Sequence, residues 1–400
     1  MNTLTSTPGA LRVLTISIIA RLPLAMLGIV LLVHAVHLTG SYSAAGIVAG
    51  ANAIATGVGG PLLGKLVDRR GQTLVLIVSG CVSGALLCVI GTLPVGTPLP
   101  LLIAVAFAIG AALPPVGACL RSLLPSLAPD AHSARAIYAV EASAVELTWV
   151  VGPPVALALA VLFSTGVAVA IAGVVLAVGA SAFALQGASR TWRPRSAGLR
   201  GCGALRAPAV QTLVLVFAGI GVLVGAVEVG AASAASSLGS SAGGGILLGI
   251  WSVGSLAGGV ATARLGGGVR SAVGLALVLA ALACGHVLAV IASGDMLTLA
   301  IALLVAGGAL APTFASAYAM VDRAAPAGAV TEAFAWLATA LAVGGAAGSA
   351  AAGVLVDHSG PSAAFGLAAA AGVASALVTM LRAQTIDADD VVPVAHAAIA

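Results

Sequence analysis

Gly64-Lys65-Leu66-Val67-Asp68-Arg69-Arg70-Gly71-Gln72 places four charged residues within positions 65 to 70, whereas residues 43 to 63 and 73 to 93 on either side carry none. An α-helix rising 1.5 Å per residue needs about 20 apolar residues to cross the hydrocarbon core of a bilayer. Two such runs joined by a short charged turn read as neighbouring membrane-spanning helices. The charges stay in water and the flanking runs stay in lipid.

The same pattern extends over the whole chain. Its 400 residues are 60% hydrophobic and 7% charged, against roughly a quarter charged in soluble domains, and the mean hydropathy is +1.18. A membrane β-barrel would alternate apolar and polar residues, but these segments are apolar on every side. Breaks at Gly, Pro and charge clusters give twelve spans. In the first half they cover 13 to 36, 43 to 63, 73 to 93, 99 to 120, 137 to 163 and 166 to 187. In the second half they cover 208 to 232, 242 to 263, 271 to 291, 296 to 319, 331 to 356 and 361 to 381. The expected fold is an all-α membrane protein of twelve transmembrane helices in two pseudo-symmetric halves: an N-terminal half (1–187), a connector (188–207), a C-terminal half (208–382) and a tail (383–400).

The basic residues orient this bundle. Arg12, Lys65, Arg69, Arg70, Arg121, Arg135, the connector arginines from Arg190 to Arg206, Arg264, Arg270, Arg323 and Arg382 all fall on alternate turns. By the positive-inside rule, that side and both termini are cytoplasmic. The net charge of +4 reflects this asymmetry, not nucleic-acid binding. One lysine against fifteen arginines suits a bacterial genome rich in G and C, and so an inner (plasma) membrane. No cleaved signal peptide is expected. Cys81, Cys88, Cys119, Cys202 and Cys284 show no paired spacing and read as small apolar fillers, with no metal or other cofactor implied.

The halves repeat. An offset of 196 to 198 residues carries Gly110 and Pro114 onto Gly308 and Pro312, Pro129 onto Pro326, Tyr138 onto Phe334, and Gly152 onto Gly348. Such internal symmetry is characteristic of secondary transporters. Pro114, Pro153 and Pro312 are the expected helix kinks.

Physically, the 64–72 segment reads as a charge latch. Its glycines permit the tight turn, Asp68 can accept from free amides at a neighbouring helix N-terminus, and Arg69 or Arg70 can meet a carboxylate. The plainer alternative is a solvated topology signal. The segment resembles the signature loop of the major facilitator superfamily, Gly-x-Leu-x-Asp-Arg-x-Gly-Arg. It matches through Gly71 and departs at Gln72 and Thr73. Its counterpart in the other half, Gly259 to Gly268, keeps glycines and Arg264 but loses the acid. The resemblance implies that Asp68 meets the start of span eleven, at Thr331 and Glu332. The Gly152-Pro153 step in span five resembles the core of a motif found in drug antiporters of that superfamily, and favours an exporter.

Three charges lie deep inside spans. Glu146 is about 9 residues, or roughly 14 Å, from the cytoplasmic end of span five, where a carboxylate must be paired, hydrated or protonated. Glu141 lies five positions earlier and points elsewhere around the helix. Arg21, about 12 Å into span one, needs a carboxylate or an anionic substrate, and a pair with Glu141 or Glu146 is the expected arrangement. Each is a candidate for proton coupling, with a structural ion pair as the alternative. Glu332 can complement the dipole of span eleven, Glu228 is expected at an outer interface, His34 and His37 at the outer end of span one, and His286 as a buried histidine.

The function expected is a secondary transporter, a proton-coupled exporter of small organic molecules acting as a monomer. A facilitator or importer of a small solute without proton coupling, and a non-transporting receptor or scaffold, are the alternatives. An intramembrane hydrolase built on Ser252 and His286 lacks a nucleophile frame, and an ATP-driven pump is not expected. A reporter fused after Gln186 or after Ala383 is expected to read cytoplasm, and one near Asp295 or Asp357 the outside. An outside reading after Gln186 would overturn the two-halves topology.

Overall fold

Twelve helices long and apolar enough to cross a membrane form the described chain: Leu11–Thr39, Ser43–Arg70, Gln72–Gly91, Leu99–Leu127, Ser133–Leu162, Thr165–Ala184, Pro208–Ser237, Gly243–Arg264, Ala272–Ala292, Met296–Ala324, Val330–Ser359 and Pro361–Leu381. They are spans one to twelve below. The structure is a computed structural model that describes residues 8–128, 130–193, 203–240 and 243–387. Cys202, Pro129, Arg195 and Arg200 lie outside the described residues.

Lipid provides no hydrophobic drive for one apolar helix to pack on another, so close packing has to come from small residues that let backbones touch. Spans three and six show this directly. A Cβ on Gly84 would stand 2.5 Å from the Gly173 carbonyl oxygen, and one on Gly91 would stand 2.5 Å from that of Gly166. Span nine meets span twelve in the same way, with Gly372 against Ala283. Between spans one and five, Gly152 sits on Ala25 and Met26; between spans seven and eleven, Gly348 sits on Val222. Gly348 follows Gly152 by 196 residues and Val222 follows Ala25 by 197. The repeat in the sequence is therefore a repeat of contacts. Tyr138 and Phe334, which the offset superposes, meet each other between the halves with ring centroids 6.3 Å apart.

Spans four and ten are each broken. Span four is helical over Leu99–Ala111 and Val116–Leu127, with Pro114 in the gap between them. Span ten is helical over Met296–Gly307 and Leu310–Ala324, with Pro312 in the first turn of the second piece. At Pro153, by contrast, the helix Ala131–Leu162 runs through without interruption.

Span two continues to Arg70, so Gly64–Arg70 forms its last two turns, and the turn itself is Gly71 at φ +87°. Nothing from 65 to 70 breaks a helix, and Arg69 and Arg70 complement its C-terminal dipole. Gly59 to Lys65 has the Gly-x-x-x-x-Gly-Lys spacing but is helical and is followed by Leu66, so it is no phosphate loop. Span four runs on to Leu127, which takes Arg121 into the bundle instead of leaving it on a turn. His34 is buried, not interfacial: it bonds the Thr165 hydroxyl and the Ile90 carbonyl at 2.9 Å each, tying span one to spans six and three.

The halves meet through spans two and eleven and through span five against spans eight and ten. These contacts run from the arginine-bearing end, here the basic end, to the middle of the bundle. Thr339 of span eleven donates to the Gly57 carbonyl at 2.9 Å, Gly259 of span eight packs on Ser143, and Gly267 packs on Arg135. Toward the other end the same spans expose Ile47, Ile54, Val161, Ile246 and Val354.

Candidate functional site

Span eleven starts at Val330 with Ala329 as its N-cap, a residue with no side-chain acceptor. Its first amides would be orphaned, and a helix N-terminus is a centre of partial positive charge. Asp68 of span two supplies the missing acceptor. Its Oδ1 accepts from the Thr331 amide at 3.1 Å and its Oδ2 from the Glu332 amide at 2.8 Å. Gly64 makes room for this approach, since a Cβ there would lie 3.0 Å from the Glu332 Cα and from the Thr331 carbonyl oxygen. Glu332 lies in this first turn beside Gly203 of the connector. Arg69 and Arg70 are exposed and form no ion pair among the described residues, so the acid and the glycine make the contact between halves without the arginines.

Gln72, where the loop departs from the superfamily pattern, is buried. Its amide donates to the Cys119 carbonyl at 3.0 Å and to the Ser122 hydroxyl at 3.1 Å, and its carbonyl accepts from Ser189 at 2.9 Å. The start of span three is thereby held to the end of span four and to the short helix Gly187–Thr191.

The second site lies deeper. Glu141 of span five is fully buried, and its Oε1 accepts from Arg21 Nη1 at 2.7 Å and from Arg121 Nη2 at 3.2 Å. Its Oε2 accepts from Arg121 Nε at 3.3 Å. The Arg121 guanidinium also lies 3.9 Å from the ring centre of Tyr318 on span ten, and its backbone carbonyl accepts from the Tyr138 hydroxyl at 2.9 Å. The site thus joins spans one, four, five and ten. Gly117 leaves space for Arg21, with a would-be Cβ 3.3 Å from Nη1.

Glu146 faces away from this cluster. It is 8% exposed and lies opposite Ser255 of span eight. No basic side chain forms an ion pair with it among the described residues. His286 is fully buried, bonded through Nδ1 to the Leu282 carbonyl at 2.7 Å, with its ring edge-on to Trp251. Glu228 is exposed on span seven, and because that helix continues to Ser237 it lies nine residues inside the span rather than at its outer interface.

Sequence reasoning missed Arg121, Tyr318 and Ser255. The signal for Arg121 was present, because Leu120, Leu123, Leu124 and Leu127 carry the helical apolar period beyond residue 120. Tyr318 and Ser255 became visible only once the halves were folded together.

The model of the Major Facilitator Superfamily matches residues 13–266, and the chain belongs to that superfamily. Solved structures of similar fold include a bacterial homologue of the iron transporter ferroportin in an outward-facing state (17% identity, TM-score 0.71, covering 93% of this chain and 98% of that one). A second is the human organic anion transporter MFSD10 (15%, TM-score 0.68, 94% and 99%). A third is the E. coli fucose:proton symporter (14%, TM-score 0.70, 94% and 98%). No curated protein matches the chain in sequence. At these identities the neighbours share the fold, and the family makes the chain a multi-pass membrane transport protein.

Replacing Asp68 by Asn keeps its size and one acceptor but removes the charge at the helix N-terminus. The expected loss is about 0.5–2 kcal/mol of preference for the closed basic end, with little loss of folded protein. Transport assays in vesicles should show strongly reduced turnover at normal protein level; full activity would reduce the segment to a topology signal.

Proposed function

We propose that the chain is a proton-coupled secondary transporter that exports small organic molecules by alternating access. In this reading it works as a monomer in the inner (plasma) membrane, with both termini and the connector 188–207 in the cytoplasm. The halves 1–187 and 208–382 rock about the central pathway, and the Asp68 contact closes the cytoplasmic side.

The observation that carries the reading is Glu146. A carboxylate held in mid-membrane without a cation is stable in its protonated form and costly in its charged form, so it changes charge only when water or a polar partner reaches it. Its position supports such a change, because it stands where span five of one half faces span eight of the other. Rocking of the halves would alter its access to water, which couples protonation to conformation. Glu141, held by two arginines, serves as a fixed structural anion.

The test is transport in inverted vesicles with an imposed pH gradient, screened against a panel of compounds. Wild-type protein is expected to accumulate its cargo in response to the gradient. Glu146→Gln, an uncharged mimic of the protonated acid, is expected to fold and bind cargo yet lose the response. If Glu146→Gln responds to the gradient as wild type does, Glu146 is not the proton carrier.

A further inference from the structure

The buried charges of the first half do not balance. Arg21 and Arg121 are both more than nine-tenths buried, yet they share one carboxylate, Glu141. Arg121 is well satisfied: it grips both oxygens of Glu141 and lies against the Tyr318 ring, whose face attracts cations. Arg21 is not. Only Nη1 has a partner, while Nε and Nη2 are buried and bonded to nothing. One turn earlier on the same helix, the hydroxyl of Ser17 is also buried without a partner. Three unpartnered donors thus lie within one turn of span one beside one uncompensated positive charge.

Burying a charge is strongly unfavourable unless it is paired and hydrogen-bonded. Replacing a buried Arg–Glu–Arg arrangement by apolar packing is often neutral or stabilising, so stability alone gives this cluster little reason to exist. A guanidinium with a free Nε–H and Nη–H edge presents the two parallel donors that a carboxylate or sulfonate accepts. Resting on the transport reading above, we infer that the cargo carries a single anionic group, which binds Arg21 through Nε and Nη2 with support from Ser17 and restores neutrality to the cluster.

Geometry also indicates when this happens. The free donors are buried in this structure, so in the transport reading they are reached in the conformation in which the basic end opens. There the anion completes the charge balance; in the buried state Arg21 keeps only its contact with Glu141. Glu141 keeps Arg121 in place throughout, and Gly117 leaves the space the Arg21 head needs to move.

Thermal unfolding of the purified full-length protein tests this without a gradient, so a failure of proton coupling leaves the result untouched. The probes are benzoate, salicylate and benzenesulfonate, each compared with its neutral amide and with sodium chloride at equal ionic strength. At least one organic anion is expected to raise Tm saturably, with the amides and chloride ineffective. Arg21→Gln leaves Glu141 matched one to one by Arg121, so it is expected to fold and to weaken anion binding about tenfold or more. Arg21→Lys, which keeps the charge but loses the fork, should retain part of the effect. Asp68→Asn, by freeing the basic end, should strengthen apparent binding. No stabilisation by any anion, equal stabilisation by amides or chloride, or an unchanged anion effect in both Arg21 variants would overturn the inference.

Discussion

A carboxylate from one half of the bundle caps a helix of the other half, and this contact joins the two halves at the basic end. Every helix N-terminus must find acceptors for its first amides. Span five solves this locally: Asp130 caps it, accepting from the Ser133 amide at 2.7 Å. Span eleven, its symmetry mate, has Ala329 at the equivalent place and borrows Asp68 from span two. The asymmetry explains why the second-half segment Gly259 to Gly268 keeps its glycines without an acid. It packs on span five through Gly267 against Arg135, but span five is already capped. A cap in cis is permanent, whereas a cap in trans is broken if the halves part, which in the proposed alternating-access cycle would make Asp68 a contact that depends on state.

Around this contact the joins within and between the halves differ in kind. Within each half, glycine-to-backbone contacts such as Gly84 with Gly173 bring the spans into direct backbone contact. Between halves, the joins are a cap, the Thr339–Gly57 bond, aromatic contacts and small-residue packing, all of which separate without leaving a cavity in a core. The two kinds of buried acid follow the same division. Glu141 is locked within its half by two arginines, and Glu146 stands at the boundary, where a change in packing changes its exposure.

Much of this was legible in the sequence. Hydropathy located twelve spans because every backbone amide in lipid must bond within its own helix, which leaves long apolar runs as the unavoidable signature. The offset matches were legible because the contacts themselves repeat, as Gly152 on Ala25 and Gly348 on Val222 show. Span ends were less legible. Near a membrane surface a helix continues as far as its packing allows, so span two took in Asp68 and span four took in Arg121. That second error had a consequence, because it made Arg21 seem the sole intramembrane cation, with Glu141 and Glu146 competing as its partner. The pairing of Arg121 with Glu141 and Tyr318 depends on three separate spans, and no local pattern encodes it.

The central claim is that the basic end has two states and that Asp68 biases them. A spin-label distance measurement between Arg70→Cys and Ala327→Cys, both exposed, on a background with the native cysteines replaced, addresses it directly. The account predicts a short distance in the otherwise unaltered protein and a longer population that grows several-fold when Asp68 is changed to Asn. A single distance distribution, identical with and without Asp68, would contradict it.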